Sequence, residues 1–145
     1  MAILKKWIPA ALVMILFLSS CEVKEIHEDY TDPVNSFTQS YTVYQKDWKI
    51  ANDDDSGIYY YCEFREPNLT QYIYDYGTMQ AFLLINNGNL SPLPFNDYWI
   101  DGSYQWTEQA TCEFRPGYVT FILKYSDHTT DAPHYDYDFR VRFLW

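Results

Sequence analysis

The chain has 145 residues, a formal net charge of −10 and an aromatic content of 20%. A chain of this length builds one domain with a single core and needs neither a metal nor a disulfide framework to fold. Its acidic residues are spread along the chain with no basic block to oppose them. This charge argues against nucleic acid as a partner, because phosphate contacts require Lys and Arg.

The first twenty-one residues have the pattern of a secretion signal. Lys5 and Lys6 precede an apolar run from Trp7 to Leu18 that is too short to span a bilayer as a permanent helix. The run closes on Leu18-Ser19-Ser20-Cys21, which resembles the lipobox of bacterial lipoprotein signal peptides. The resemblance implies diacylglyceryl attachment to Cys21 and cleavage before it. We therefore expect residues 1–20 to be a signal peptide, and Cys21 to anchor the mature protein in a lipid bilayer through acyl chains such as palmitate.

Residues 21–36 are expected to form an acidic tether behind that anchor. The segment contains five Asp and Glu and few large apolar side chains, so burial cannot offset the entropy lost on ordering it. Acidic residues directly after an acylated cysteine resemble the surface-export signal of Bacteroidetes lipoproteins. We expect a cell-envelope protein anchored in the outer membrane, and cell-surface display is a further hypothesis that protease shaving of intact cells would test.

From residue 37 to residue 145 the sequence predicts short strands separated by turns. Residues 104–115 are mostly apolar at even positions and polar at every odd one, which is the period of a half-buried strand. Pro116-Gly117 predicts a type II turn, after which the alternation resumes in 118–125 and again in 135–145. Earlier strands are predicted at 41–45, 48–51, 58–65 and 79–85, the last of them central because it is apolar almost throughout.

One short helical crossover is predicted among these strands. Apolar residues recur at helical spacing from Leu69 to Tyr76, and Gly77 ends the pattern. Asn86-Asn87-Gly88-Asn89 predicts a hairpin turn, and the two prolines that follow place residues 90–95 at a sheet edge or in a loop. The whole pattern predicts an all-β fold, an antiparallel, immunoglobulin-like β-sandwich of about seven or eight strands, with a small β-barrel as the alternative.

Cys62 and Cys112 remain once Cys21 is assigned to lipid. Each begins the same tetrapeptide, Cys-Glu-Phe-Arg, and shares a strand face with the phenylalanine two residues later, so both sulfurs are expected to point inward. The spacing suits an inter-sheet disulfide of the immunoglobulin kind, and two free core thiols are the alternative. A catalytic thiol is not expected, because no motif places a histidine beside either cysteine.

The acidic turn after residue 51 carries a partial calcium-loop pattern. Asn52, Asp54, Ser56 and Glu63 fall on positions 1, 3, 5 and 12 of such a loop, with Gly57 at position 6. Position 1 is Asn rather than Asp, however, and residues 58–64 predict a strand. A solvated hairpin turn is therefore favoured, calcium is kept as the alternative cofactor, and no other metal site is expected.

Aromatic side chains are the main candidates for ligand contact. Most of them fall on the apolar face of their own strand and are needed in the core. Tyr59, Tyr61 and Trp99, with Tyr44 and Tyr98 beside them, are candidates for the surface. Their rings would stack against sugar rings, as aromatic residues do in carbohydrate-binding β-sandwiches.

Turn and core motifs along the domain allow a comparison with known lipoproteins. The motifs are Pro67-Asn68-Leu69-Thr70, Asp75-Tyr76-Gly77, Ala81-Phe82-Leu83-Leu84, Pro92-Leu93-Pro94-Phe95, Trp106 and Phe139-Arg140-Val141. Together they resemble a group of small uncharacterised lipoproteins of Bacteroidetes. The resemblance implies a β-sandwich on a lipid anchor and supplies no functional residue beyond the lipidated Cys21.

These features predict a noncatalytic binding or accessory module of the cell envelope, with a glycan or an envelope protein as its ligand. A calcium-binding, adhesion-like module is one alternative. A small hydrolase using Asp97 and Asp101 around Trp99 is another, less favoured because acidic loops often contain two aspartates. Burial of the carboxyl groups would distinguish a hydrolase from a binding module, because a catalytic acid lies in a cleft and has a raised pKa.

Overall fold

The computed structural model describes residues 35–54, 57–85, 88–131 and 133–145. The predicted signal peptide, Cys21 and the predicted tether up to residue 34 lie outside the described residues. The described ranges contain one α-helix, α1 (Gln71–Tyr76), and nine strands. The strands are β1 (Ser36–Val43), β2 (Lys49–Asp53), β3 (Gly57–Arg65), β4 (Thr78–Ile85), β5 (Asn89–Pro92), β6 (Phe95–Asp101), β7 (Tyr104–Arg115), β8 (Tyr118–Tyr125) and β9 (Tyr137–Leu144).

The strands form two antiparallel sheets, in the orders β1-β9-β4-β5 and β2-β3-β8-β7-β6. The described strands close into no barrel, so the β-sandwich prediction is confirmed. The strand order differs from the A-B-E-D and C-F-G sheets of immunoglobulin domains, because here the first strand pairs with the last along its whole length. The number of strands exceeds the expected seven or eight because residues 95–101, where no strand was predicted, form β6.

The core lies between the two sheets. The buried side chains of β9 are Tyr137, Phe139, Val141 and Phe143, each at most 8% exposed, as the alternation predicted. The ring of Phe121 on β8 stacks on that of Phe139 with centroids 4.0 Å apart, which joins the five-stranded sheet to the four-stranded sheet. Both rings are fully buried, and burying a large apolar side chain contributes about 1.5–3 kcal/mol to stability.

The helix α1 carries the chain from one sheet to the other, as predicted. The Thr70 side chain caps it by accepting a hydrogen bond from the Ile73 N–H at 3.3 Å. At the other end, a Cβ on Gly77 would lie 2.6 Å from the Ile73 carbonyl oxygen and 2.8 Å from that of Leu144. Glycine is therefore required where the helix meets β9.

Of the two alternatives for Cys62 and Cys112, the structure has two free thiols and no disulfide. Both residues pair in register with Phe121, Cys62 from β3 on one side of β8 and Cys112 from β7 on the other. Neighbouring strands are about 4.8 Å apart, so the two Cα atoms are about 10 Å apart, beyond the roughly 7 Å that a disulfide spans. Both are free thiols on the core face, and burial raises the pKa of each, which does not favour a catalytic thiol.

Candidate functional site

A cleft opens between the two sheets where β6 and β7 approach the loop that precedes β9. Its volume is about 510 Å³, within the range of small-molecule sites. Residues of β4 give it an apolar wall. The remaining lining includes Asp97, Trp99, Glu108, Tyr135, Asp136 and Tyr137, and we call this site the acidic–aromatic cleft.

Glu108 is the buried carboxyl group of this cleft and is 8% exposed. The Tyr137 hydroxyl donates a hydrogen bond to Glu108 Oε1 at 2.8 Å, and the Tyr125 hydroxyl also bonds to the carboxylate. Burial raises the pKa of Glu108, and nearby Asp97 raises it further, while the two tyrosine hydrogen bonds and His134 oppose the rise. Glu108 therefore holds its proton more tightly than an exposed glutamate.

Asp97 stands directly opposite Glu108 across the β6–β7 pair. The Cβ atoms of such opposed residues are about 4.5–5.5 Å apart, so the two carboxyl side chains leave the sheet side by side. Asp97 is exposed, whereas Glu108 is buried. The cleft thus has one carboxylate at its mouth and one carboxyl group at its floor.

The predicted pair of Asp97 and Asp101 is not formed. Asp101 lies opposite Tyr104, four residues further along β6 and about 13 Å away, and it lines a different cavity. The carboxyl group beside Asp97 is instead Glu108. The sequence did carry a signal for it, because Glu108 interrupts the apolar face of a strongly alternating strand, and a buried polar group is the informative exception.

Trp99 forms the aromatic wall of the cleft. Its ring is stacked with that of Trp106 at 6.3 Å between centroids and with that of Tyr135 at 6.1 Å, with interplanar angles of 10° and 14°. Trp99 shares the inner face of β6 with Asp97, whereas the neighbouring Tyr98 points outward and is 77% exposed. Trp99 is therefore a residue of the cleft and not of the outer surface on which it was expected.

The loop between β8 and β9 is fixed by hydrogen bonds that bring Tyr135 to the cleft. The Tyr60 hydroxyl donates to the Asp131 carbonyl oxygen at 2.8 Å. The Gln45 N–H donates to Asp136 Oδ1 at 2.8 Å. Both contacts join distant parts of the chain, so they fix the loop on either side of Tyr135.

The predicted calcium ligands are separated by the β2–β3 hairpin. Asn52 pairs with Ile58, and Glu63 lies five residues further along β3, about 17 Å away. The Glu63 carboxylate forms an ion pair with Arg115 at 2.9 Å, and Ser56 lies outside the described residues. This geometry contradicts a calcium loop ending at Glu63. Within the described ranges, no three His, Cys, Asp or Glu side chains are grouped to hold a metal ion.

Tyr59 and Tyr61 lie on the outer face of the five-stranded sheet, with their ring centroids 6.3 Å apart. They are half-buried, and their neighbours on β3 point into the core. The three residues predicted to stack on a ligand therefore fall on two surfaces, Trp99 in the acidic–aromatic cleft and the two tyrosines on the sheet.

Comparison with known proteins supplies no relative, because no protein-family model, curated protein or solved structure matches the chain. Nor is any helix of the described residues long and apolar enough to cross a membrane. The argument for function therefore rests on the residues of the site.

Proposed function

We propose that this protein is a noncatalytic glycan-binding module of the cell envelope, and that the acidic–aromatic cleft is its binding site. The observation that carries the proposal is the stacking of Trp99 with Trp106 and with Tyr135, beside two carboxyl groups. The apolar faces of sugar rings pack on aromatic rings, and carboxylate oxygens accept strong hydrogen bonds from hydroxyl groups. The cleft offers both kinds of contact within one cavity.

The charge of the cleft favours a neutral or amine-bearing sugar. Asp97, Glu108 and Asp136 line it, whereas its lining includes no Lys or Arg among the described residues. An anionic ligand would lose its hydration without gaining an opposite charge in return. We therefore expect neutral glycans to bind here more tightly than acidic ones of the same length.

A noncatalytic role is favoured by the hydrogen bonds of Glu108. A general acid must direct its proton at the substrate, whereas the carboxyl group of Glu108 is engaged by the hydroxyls of Tyr125 and Tyr137. A small hydrolase is the second candidate, supported by the raised pKa of Glu108 beside Asp97. Release of reducing sugars from a bound glycan, abolished by Glu108→Gln, would favour the hydrolase.

The proposed anchor is the acylated Cys21 at the outer membrane. The first strand begins at Ser36, so the fourteen residues 22–35 would join Cys21 to the domain. Such a segment reaches at most about 50 Å when fully extended, enough to hold the domain clear of the headgroups. We expect Cys21→Ala to move the protein from the membrane fraction to the soluble fraction, and retention in the membrane would contradict the anchor.

The binding site is tested by a glycan screen with the full chain in a neutral detergent that contains no sugar. We expect Trp99→Ala to weaken binding of the selected neutral glycan at least about tenfold, because it removes the central ring of the stack. Tyr98→Ala is the matched control, since Tyr98 is adjacent in sequence and points to the other face. Equal affinities for all three proteins would exclude the cleft as the site.

A further inference from the structure

The outer face of the five-stranded sheet carries a second aromatic surface, whose charge differs from that of the cleft. Tyr59 and Tyr61 lie half-buried along the outer side of β3, with their ring planes inclined at 52°. A shallow cavity of about 280 Å³ lies over them and extends to Ile122 on β8. We call this surface the outer tyrosine face.

Two lysines stand over the rings of the outer tyrosine face. Lys49 on β2 is paired with Tyr61, and its Nζ is 5.9 Å from the centroid of that ring. The Nζ of Lys124 is 5.6 Å from the centroid of the Tyr59 ring. Both distances are near the outer limit of about 6 Å for a cation–π contact, so each ammonium group can move to a ligand without losing a strong interaction.

Cations are concentrated on this face of an acidic protein. Arg115 adds a guanidinium group 3.6 Å from the Tyr118 ring centroid. Four of the ten Lys and Arg side chains of the chain lie on this face, namely Lys49, Arg65, Arg115 and Lys124. By contrast, Arg140 and Arg142 lie on the outer face of the four-stranded sheet. They pair there with Ser40 and Thr38 of β1 and with Phe82 and Gln80 of β4, and none of these partners is a tyrosine.

We propose that the outer tyrosine face binds a linear polyuronate, a glycan whose sugar rings carry carboxylates. The sugar rings pack on Tyr59 and Tyr61, and the ligand carboxylates pair with Lys49 and Lys124. This is a second site, independent of the neutral glycan proposed for the cleft.

The carboxylates within the same cavity separate a polyuronate from other polyanions. Glu63 and Glu113 line the cavity with the tyrosines. Sugar hydroxyls donate hydrogen bonds to such carboxylates, whereas the ionised phosphates of an anionic membrane or a nucleic acid only accept hydrogen bonds and cannot make this contact.

The test is a titration of the full chain, in a neutral detergent without sugar, with oligogalacturonate. We expect affinity to fall as salt is raised from about 50 to about 500 mM, because ion pairs at the surface are screened. Lys49→Gln with Lys124→Gln should weaken binding about five- to tenfold. The matched control is Arg140→Gln with Arg142→Gln, which removes the same charge from the other sheet and should leave affinity unchanged.

Each alternative result overturns the proposal. Equal weakening in the two double variants would mean that only net charge is sensed. Undiminished binding of methyl-esterified oligogalacturonate would mean that the carboxylates are not recognised. Stronger binding to phosphatidylglycerol vesicles would assign the face to a lipid surface. Loss of oligogalacturonate binding in Trp99→Ala would place the polyuronate in the cleft and not on the outer tyrosine face.

Discussion

Two glutamates of the described ranges are buried, and their surroundings are different. Glu66, 4% exposed, accepts hydrogen bonds from the Tyr41 hydroxyl at 2.7 Å and from the Asn68 N–H and Nδ2 at 3.2 and 3.1 Å. Its own N–H donates to the Gly117 carbonyl oxygen, which ties the start of the crossover to the β7–β8 turn. Glu108 is likewise held by tyrosine hydroxyls, but it borders a cavity of about 510 Å³ and a second carboxylate.

The difference teaches that burial of a carboxyl group does not by itself mark a functional site. Both oxygens of Glu66 are engaged by donors that fix a turn, so its role is structural. Glu108 combines burial with open space, a neighbouring carboxylate and a stacked tryptophan. Substitutions at the two sites should therefore separate stability from binding.

The largest expected effect on stability is that of Glu66→Ala. It leaves the buried Tyr41 hydroxyl without its acceptor and frees the turn at Asn68, which should lower the free energy of unfolding by about 2–4 kcal/mol. Urea denaturation measures this change. Glycan affinity of the folded fraction should be unchanged, and a loss of affinity without a loss of stability would reverse the roles assigned to the two glutamates.

A smaller effect is expected for Tyr137→Phe. The substitution removes the hydroxyl that donates to Glu108 Oε1, while Tyr125 still bonds to the carboxylate. We expect a loss of about 1 kcal/mol in the free energy of unfolding at neutral pH. Because that hydrogen bond lowers the pKa of Glu108, the variant should also raise this pKa further. An unchanged titration of Glu108 by NMR would show that the hydroxyl does not contact it in solution.

The smallest expected effect is that of Glu108→Gln, which should remove the contribution of Glu108 to the pH dependence of stability. The pKa of Glu108 in the folded chain is above its ordinary value of 4.5, so the folded chain binds this proton more tightly than the unfolded chain. Relative to the variant, the wild type should be most stable below about pH 4.5, lose stability as pH rises, and level off above the folded-state pKa. Thermal melts of both proteins over this range measure the difference, and parallel curves would contradict a raised pKa.

Much of the fold could be predicted because alternation and turn residues are local signals. The inward faces of β7, β8 and β9, the type II turn with Gly117 at a φ of 80°, and the helix before Gly77 all appear as predicted. Alternation assigns a residue to a face but does not identify the neighbouring strand. The sequence therefore could not predict that β1 pairs with β9. Nor could it predict that β8 lies between the strands that carry Cys62 and Cys112.

The site was predicted only in part for the same reason. Trp99 was identified, but β6 was missed because Asp97 and Asp101 occupy its inner face, where a buried strand would carry apolar residues. Glu108 could be seen as a polar residue on an apolar face. That Glu108 belongs to a binding site could not be predicted. This assignment depends on the strand register that places Glu108 opposite Asp97 and on the loop that stacks Tyr135 on Trp99.

The most direct test of the cleft as a glycan site follows the indole N–H signals of the full chain by NMR during titration with the selected neutral glycan. Trp99 lines the cleft, as does Tyr137 at the first residue of β9. Trp145 follows the other end of β9 and therefore serves as an internal control. We predict that the signal of Trp99 shifts in proportion to occupancy while that of Trp145 stays in place. A bound glycan that leaves Trp99 unshifted, or that shifts Trp145 instead, would contradict the account.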